Sequence, residues 1–204
     1  MDLKKRIFIA SAELFAQYTY SRVSIRDIAK KVGIQSSSIY YHYKSKEEIL
    51  DELLRHYVRR TDEFHAASVK LFSQPDYVPR LDDIVFVYHR EEVNLMFWIT
   101  RILMIEQFTS PVAADALIGE SHQRYTLAIV RFFEALASRG ILHNPEKIPI
   151  YADMFMRMGH TFQLDFVHPE FKPQMKDLRE MYVFILEMIL RAEGELDYLP
   201  ELLG

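Results

Sequence analysis

Between Ser36 and Lys46 the sequence SSSIYYHYKSK places three consecutive serines, three tyrosines, a histidine and two lysines within eleven residues. Short hydroxyls and basic groups of this kind hydrogen-bond to phosphate oxygens and to base edges in the major groove, and a helix N-terminus itself attracts anions. The apolar positions Ile39 and Tyr43 lie four residues apart and share one face of a helix over roughly 36–43. That leaves Ser36, Ser37, Ser38, Tyr40, Tyr41 and His42 as a polar and aromatic face, with Lys44 and Lys46 directly behind it.

A face like this needs a preceding element to hold it. In SIRDIAKKVGI, Ile25, Ile28, Ala29 and Val32 form an i, i+3, i+4, i+7 stripe, which predicts a helix buried on one side. Ser24 is placed as its N-cap, with Asp27 three residues on as the acidic partner of a capping box. Gly33 ends the helix, because glycine alone takes a positive φ without steric cost and lets the chain turn within a few residues. Two short helices around a tight turn make a helix-turn-helix.

From Ile7 to Leu50 the sequence resembles, without a gap, the N-terminal domain of the TetR/AcrR family of bacterial transcriptional regulators. The resemblance rests on IFIASAELFAQY for a first helix, SIRDIAKKVGI for the second helix and turn, and SSSIYYHYKSKEEIL for a recognition helix running into a fourth. It covers about the first quarter of the chain. Two positions depart from the family pattern: Thr19 stands where glycine is usual, and Ser37 where glycine or another small residue is common. A β-branched residue resists positive φ, so Thr19 bears on the geometry of the first inter-helix turn. By the resemblance, Tyr40, His42 and Lys46 look like phosphate contacts. Ser36, Ser37, Ser38 and Tyr41 are implied to face bases or the nearby backbone, and Arg26 a base or phosphate.

Charge divides the chain at the same place. Residues 1–46 hold nine basic against three acidic side chains, a balance of +6, while the rest carries sixteen against twenty-six, or −10. A basic end on an acidic body localises attraction for a polyanion at one surface. The expected domains are therefore 1–46, a three-helix DNA-binding domain with a helix-turn-helix, and 47–204, an all-α effector-binding and dimerisation domain.

The periodicity beyond Lys46 is helical throughout, with no strand alternation of useful length and no internal repeat. A long connector begins at Ser45, an N-cap with Glu48 three residues on, and carries Ile49, Leu50, Leu53, Leu54, Tyr57, Val58 and Phe64 on one side. SQPDYVP, 73–79, is a loop. Helices follow over about 81–89, 93–108, a short and a long one within 112–137, 151–167 and 178–192. HPEFKP, 168–173, separates the last two.

Those last two helices carry Met154, Phe155, Met156, Met158, Phe162 and Phe166, and then MYVFILEMIL, apolar at nine of ten positions. A helix apolar on nearly all sides is not a surface helix of a monomer. The resemblance implies a homodimer through these two helices, packed against a two-fold mate as a four-helix bundle, and a palindromic double-stranded DNA operator. It places two recognition helices in successive major grooves, about 34–36 Å apart. The rival reading of the same residues is burial within one subunit.

A pocket for a small apolar or amphipathic effector is a second use of the apolar surplus, since such pockets are mostly apolar with a few placed polar groups. Met96, Phe97, Trp98, Met104, Gln107 and Phe108 are candidate linings from the middle of the chain, with His122, Tyr125, Phe155, His160 and Gln163 from later helices. The alternative is plain core, in a DNA-binding dimer that is constitutive or answers to a protein partner.

Other function classes fall away. The 204-residue chain has no cysteine, which rules out disulfides, thiolate catalysis and cysteine-ligated zinc or iron-sulfur centres. It lacks a GxSxG elbow, a Gly-rich phosphate loop and an HExxH, and no His or carboxylate set has a ligand spacing, so neither an enzyme nor a cofactor or metal site is expected. The most apolar window, 93–105, is thirteen residues long and contains Arg101, short of the ~20 that span a bilayer. With no signal-peptide h-region at the start, the expectation is a soluble, cytoplasmic protein.

Overall fold

The computed structural model describes the backbone of residues 1–74, 76–85, 90–165 and 175–204, and their side chains apart from those of residues 85, 90–93, 118, 120–122, 160, 163–165 and 175. Every regular element among the described residues is helical. In chain order these are α1 (Leu3–Tyr18), α2 (Ile25–Val32), α3 (Ser36–His42), α4 (Lys46–Phe72), α5 (Asp82–Val85) and α6 (Arg90–Glu106). They are followed by α7 (Pro111–Ile118), α8 (Glu120–Ser138), α9 (Ile148–Asp165), α10 (Met175–Glu193) and α11 (Leu199–Leu203), with short 3-10 turns before α9 and α11. The helix expected over 81–89 is described only as far as Val85. Residues 86–89, Phe166 and the 168–173 loop lie outside the described residues.

Two compact units divide the chain. The first comprises residues 1–60 and 90–121, so α6 and α7, distant in sequence, join the N-terminal helices. α1 packs against both α2 and α6. Asp2 caps α1 by accepting from the Lys5 amide at 2.7 Å. Ile7, Phe15, Ile28, Ile39, Ile49 and Leu53 are fully buried in this unit, joined by Ile99 and Leu103 of α6. Between α1 and α2, Thr19 takes φ 69° and ψ 151°. This is a region that glycine occupies and β-branched residues avoid, so the turn takes a glycine-like geometry with a threonine in place, as backbone strain.

The second unit comprises residues 61–89 and 122–204. Its core is aromatic. Phe133 meets Phe132 and Phe155 edge-on at 5.3 and 5.2 Å, and Phe155 stacks on Tyr182 at 5.0 Å. Near the C-terminus, the Leu81 amide donates to the Leu202 carbonyl at 2.8 Å, and Arg179 donates to both Leu203 and Asp82.

α9 and α10 pack closely because Gly159 leaves room for the Tyr182 hydroxyl, which donates to the Phe155 carbonyl at 3.2 Å. A Cβ at position 159 would lie 2.5 Å from that hydroxyl. Gly159→Ala is expected to lower stability by about 1–3 kcal/mol through this overlap. Adding Tyr182→Phe, which removes the obstructing oxygen, should recover most of the loss in urea denaturation. An equal loss in both backgrounds would show that the hydroxyl is not the obstacle.

Candidate nucleic-acid interface

The helix-turn-helix is built from local interactions. Ser24 caps α2: its hydroxyl oxygen accepts from the Asp27 amide at 3.3 Å, while its own amide and hydroxyl donate to the Asp27 carboxylate at 2.8 and 2.6 Å. The Ser24 hydroxyl and amide hold the Asp27 carboxyl below the usual carboxylate value, as a reciprocal capping box should. At the other end Gly33 adopts φ 77° and ψ 38°, and the Ile34 amide returns to the Ala29 carbonyl at 3.0 Å. Those left-handed angles reverse the chain into α3. Ile28, Ala29 and Val32 are buried as expected, and Ile25 is half-buried. Arg6 adds a long-range tie, donating to the Val32 carbonyl at 2.7 Å.

α3 is anchored by Ile39 and by Tyr43, which follows the helix as its C-cap; both are enclosed. Tyr43 turns its ring under the Lys4 ammonium, 5.1 Å from the ring centre. The opposite face is open. Tyr40 is 55% exposed and Tyr41 87%, so neither is a packing residue between helices. Ser37 is exposed, Ser36 and Ser38 are half-exposed, and His42 lies edge-on to Tyr41 at 5.1 Å. Arg26 is exposed on α2. The structure thus gathers Ser36, Ser37, Ser38, Tyr40, Tyr41 and His42 on one short helix, with Arg26 in the same unit.

Lys46 is placed differently. Its ammonium donates to the Tyr20 carbonyl at 2.8 Å and the Val23 carbonyl at 2.9 Å, and lies 4.1 Å from the centre of the Tyr20 ring. Two of its three protons are therefore committed to the α1–α2 turn. Burial and the neighbouring Glu47 carboxylate raise the Tyr20 phenol, with Glu106 of α6 adding to the effect. This cluster was not legible in the sequence, because its members lie 23 and 26 residues apart.

The sequence profile of the bacterial regulatory proteins, tetR family, matches residues 7–53, the same stretch that folds into the capped α2, the Gly33 turn and the open α3. Over residues 7–53 the chain carries the TetR-family domain. Among relatives, the HTH-type transcriptional repressor KstR2 of Mycolicibacterium smegmatis is 25% identical over 177 residues, 87% of this chain and 60% of that protein. KstR2 of Mycobacterium tuberculosis is 49% identical over 45 residues, 22% of each chain. The matches thus span less than two thirds of these relatives' lengths. Among solved structures, a transcriptional regulator from Saccharomonospora viridis in complex with choline superposes with a TM-score of 0.68 at 19% identity, covering 90% of this chain and 95% of that one. The ketosteroid transcriptional regulator KstR2 of M. tuberculosis gives 0.63 at 18%, covering 94% of each. These likenesses show a shared all-helical fold over nearly the whole chain.

The candidate effector residues fall in both units. Met96, Phe97, Trp98, Met104, Gln107 and Phe108 belong to the first, on α6 and just after it. Met96 is buried, Phe97, Trp98, Met104 and Gln107 are half-buried, and Phe108 is 84% exposed, so it lines nothing within its own unit. Gln107 donates to the Met104 carbonyl at 2.8 Å. In the second unit the half-buried Tyr125 donates to the Ile84 carbonyl at 3.1 Å, and Phe155 is wholly buried, in contact with the Phe133 and Tyr182 rings. His122, His160 and Gln163 sit on α8 and α9, and their side chains lie outside the described residues. No helix among the described residues is long and apolar enough to cross a membrane.

Proposed function

We propose that the chain is a homodimeric repressor that reads a palindromic operator through two copies of α3 and leaves it when a small apolar or amphipathic effector binds. The observation that carries this reading is the open face of α3, where Ser36, Ser37, Ser38, Tyr40, Tyr41 and His42 surround an anchor of Ile39 and Tyr43. Phosphate contacts by Tyr40, His42 and Arg26 set register, and Ser36, Ser37, Ser38 and Tyr41 choose the sequence at base edges. The repressor names of the relatives support regulation by blocking transcription. The functional division proposed is DNA recognition by 1–46, and effector binding and dimerisation by 47–204, in the cytoplasm.

Dimerisation is supported by α9 and α10. Ile150, Met154 and Met158 repeat at i, i+4, i+8 on α9, and Met181, Phe184 and Met188 at i, i+3, i+7 on α10. Ile150, Phe184 and Met188 are exposed and the other three half-exposed, an apolar face that a two-fold mate would cover. Effector binding is assigned first to the α6 region, where half-buried Trp98 and Met104, with Gln107 just past the helix, combine apolar area with a polar group. The choline bound by the S. viridis regulator supports a small organic effector. The effector acts by shifting the continuous α4, which changes the separation of the two reading heads.

The test is a titration of the purified protein against duplexes from its own upstream region in dilute salt, with mass measured by light scattering. The expected result is retention by two protomers per site. A folded protein that retains no such duplex, or a strictly monomeric mass at micromolar concentration, overturns the reading. Effector control requires differential affinity, and a 100-fold loss of operator binding corresponds to a coupling of ~2.7 kcal/mol. Equal ligand affinity for free and DNA-bound protein rules the switch out.

A further inference from the structure

The α1–α2 turn holds a residue in a conformation it resists, next to a lysine turned inward. Thr19, at φ 69° and ψ 151°, occupies a region reserved almost wholly for glycine. Such a residue persists only where its surroundings over-determine it. The carbonyls on its C-terminal side, those of Tyr20 and Val23, converge on the single ammonium of Lys46.

Lys46 is also the first residue of α4. A cation there is opposed by the positive end of the helix dipole, so the helix gives no reason for a lysine at this position. The turn does: the ammonium satisfies two carbonyls and packs over the Tyr20 ring, an arrangement worth more than neutral hydrogen bonds. Ser24, which caps α2, follows Val23 directly. A displacement of the turn therefore moves the start of α2, and with it α3, which packs on α2.

We propose that Lys46 is a positioning residue for DNA recognition, bracing the strained Thr19 turn against the start of α4 and so fixing where α2 and α3 stand. This rests on the operator-binding reading for its consequence, but not for the brace itself. Since α4 continues past residue 60 into the second unit, a shift of its first turn would withdraw the ammonium and release the strain. Lys46 then acts on the duplex through the turn, whereas a phosphate contact would act on it directly.

The experiment compares the full-length protein with Lys46→Met, Thr19→Gly and the double variant. In the DNA-free protein, hydrogen exchange is followed at the Asp27 and Ile28 amides, whose bonds to Ser24 close the first turn of α2. Lys46→Met is expected to speed that exchange about tenfold, equivalent to ~1.4 kcal/mol. Its effect should shrink severalfold in the Thr19→Gly background, where there is no strain to hold. In operator titrations across salt, Lys46→Met should bind about tenfold more weakly with the slope of log K against log salt unchanged, and Thr19→Gly should restore most of the loss.

A slope reduced by about 0.9 marks a lost phosphate contact and overturns the proposal. So does unchanged exchange, or a folded Lys46→Met variant that is less stable yet binds with wild-type affinity. If the wild-type protein retains no duplex while the exchange coupling is present, the brace is supported and the operator reading alone falls.

Discussion

Phe155→Ala is expected to destabilise the chain by about 3–5 kcal/mol, the loss typical of a phenylalanine removed from a well-packed interior. Phe155 has no solvent exposure, stacks on Tyr182 at 5.0 Å and receives the edge of Phe133 at 5.2 Å. Phe133 in turn meets Tyr151 at 5.8 Å and Phe132 at 5.3 Å, so the ring sits at the centre of a connected set rather than at its margin. Aromatic pairs of this geometry add about 0.5–1.5 kcal/mol beyond their buried area. Neighbours as large as these have little freedom to collapse into the space left behind. Urea denaturation should show the midpoint falling with m unchanged. A loss under about 1 kcal/mol would mean the site tolerates a void, which is how a ligand-lined wall behaves and a packed core does not. The same measurement therefore decides which of two sequence-level uses Phe155 serves.

Glu193→Ala is expected to remove about 2–4 kcal/mol, for a polar reason. The Glu193 carboxylate is buried near the end of α10 and accepts from three donors: the His143 amide at 2.8 Å, the Asn144 side chain at 2.9 Å and the Tyr151 hydroxyl at 2.7 Å. Truncation strands all three, and each buried donor left unpaired costs about 1–3 kcal/mol, offset where water enters. Burial alone would raise the carboxyl. The Tyr151, Asn144 and His143 hydrogen bonds outweigh it and hold the group below its ordinary value of 4.5. The folded-state value is depressed, so the stabilisation is complete above pH 4.5 and is lost as pH falls through that lower value. Stability measured from pH 7 downwards should show this acid loss in the wild type and a shallower one in Glu193→Gln. An acid limb identical in both would remove Glu193 from the account. The partner tyrosine shows the reverse shift: burial and the Glu193 carboxylate raise the Tyr151 phenol.

Local chemistry explains how much of the reading head could be anticipated from residues alone. The capping box of Ser24 and Asp27 spans three residues, and Gly33 needs only its own missing Cβ to reverse the chain. Both follow from sequence neighbours and hold in the structure. The Ser45 cap was equally local, with its hydroxyl accepting from the Glu48 amide at 3.3 Å. The Glu48 carboxylate in turn accepts from the Lys44 amide at 2.6 Å. Periodicity likewise separated Ile39 and Tyr43, turned inward, from Tyr40 and Tyr41, turned out, because a 3.6-residue repeat assigns faces without knowing what covers them.

The residues that periodicity could not sort are those whose surroundings come from far away in the chain. Phe108, just after α6, and Phe155, in the middle of α9, are both aromatic residues of apolar stretches, yet one is bare to solvent and the other wholly enclosed. An apolar stripe announces that a helix has a partner without saying which one. For α6 that partner is α1, so six expected effector residues stand in the same compact unit as the helix-turn-helix.

By itself, then, the sequence determined an all-helical chain, a capped helix-turn-helix with a hydroxyl- and tyrosine-faced third helix, and the basic end that carries it. Caps, turns and helical faces depend on residues within one or two turns of each other, so a linear reading reaches them. Only the tertiary structure decided that Lys46 turns inward to the Tyr20 and Val23 carbonyls, that Thr19 is held at positive φ, and that Glu193 gathers donors 42 to 50 residues distant. The direction of a long side chain is set by whichever partners the packed helices bring within 3 Å of it, and that choice is made by the fold.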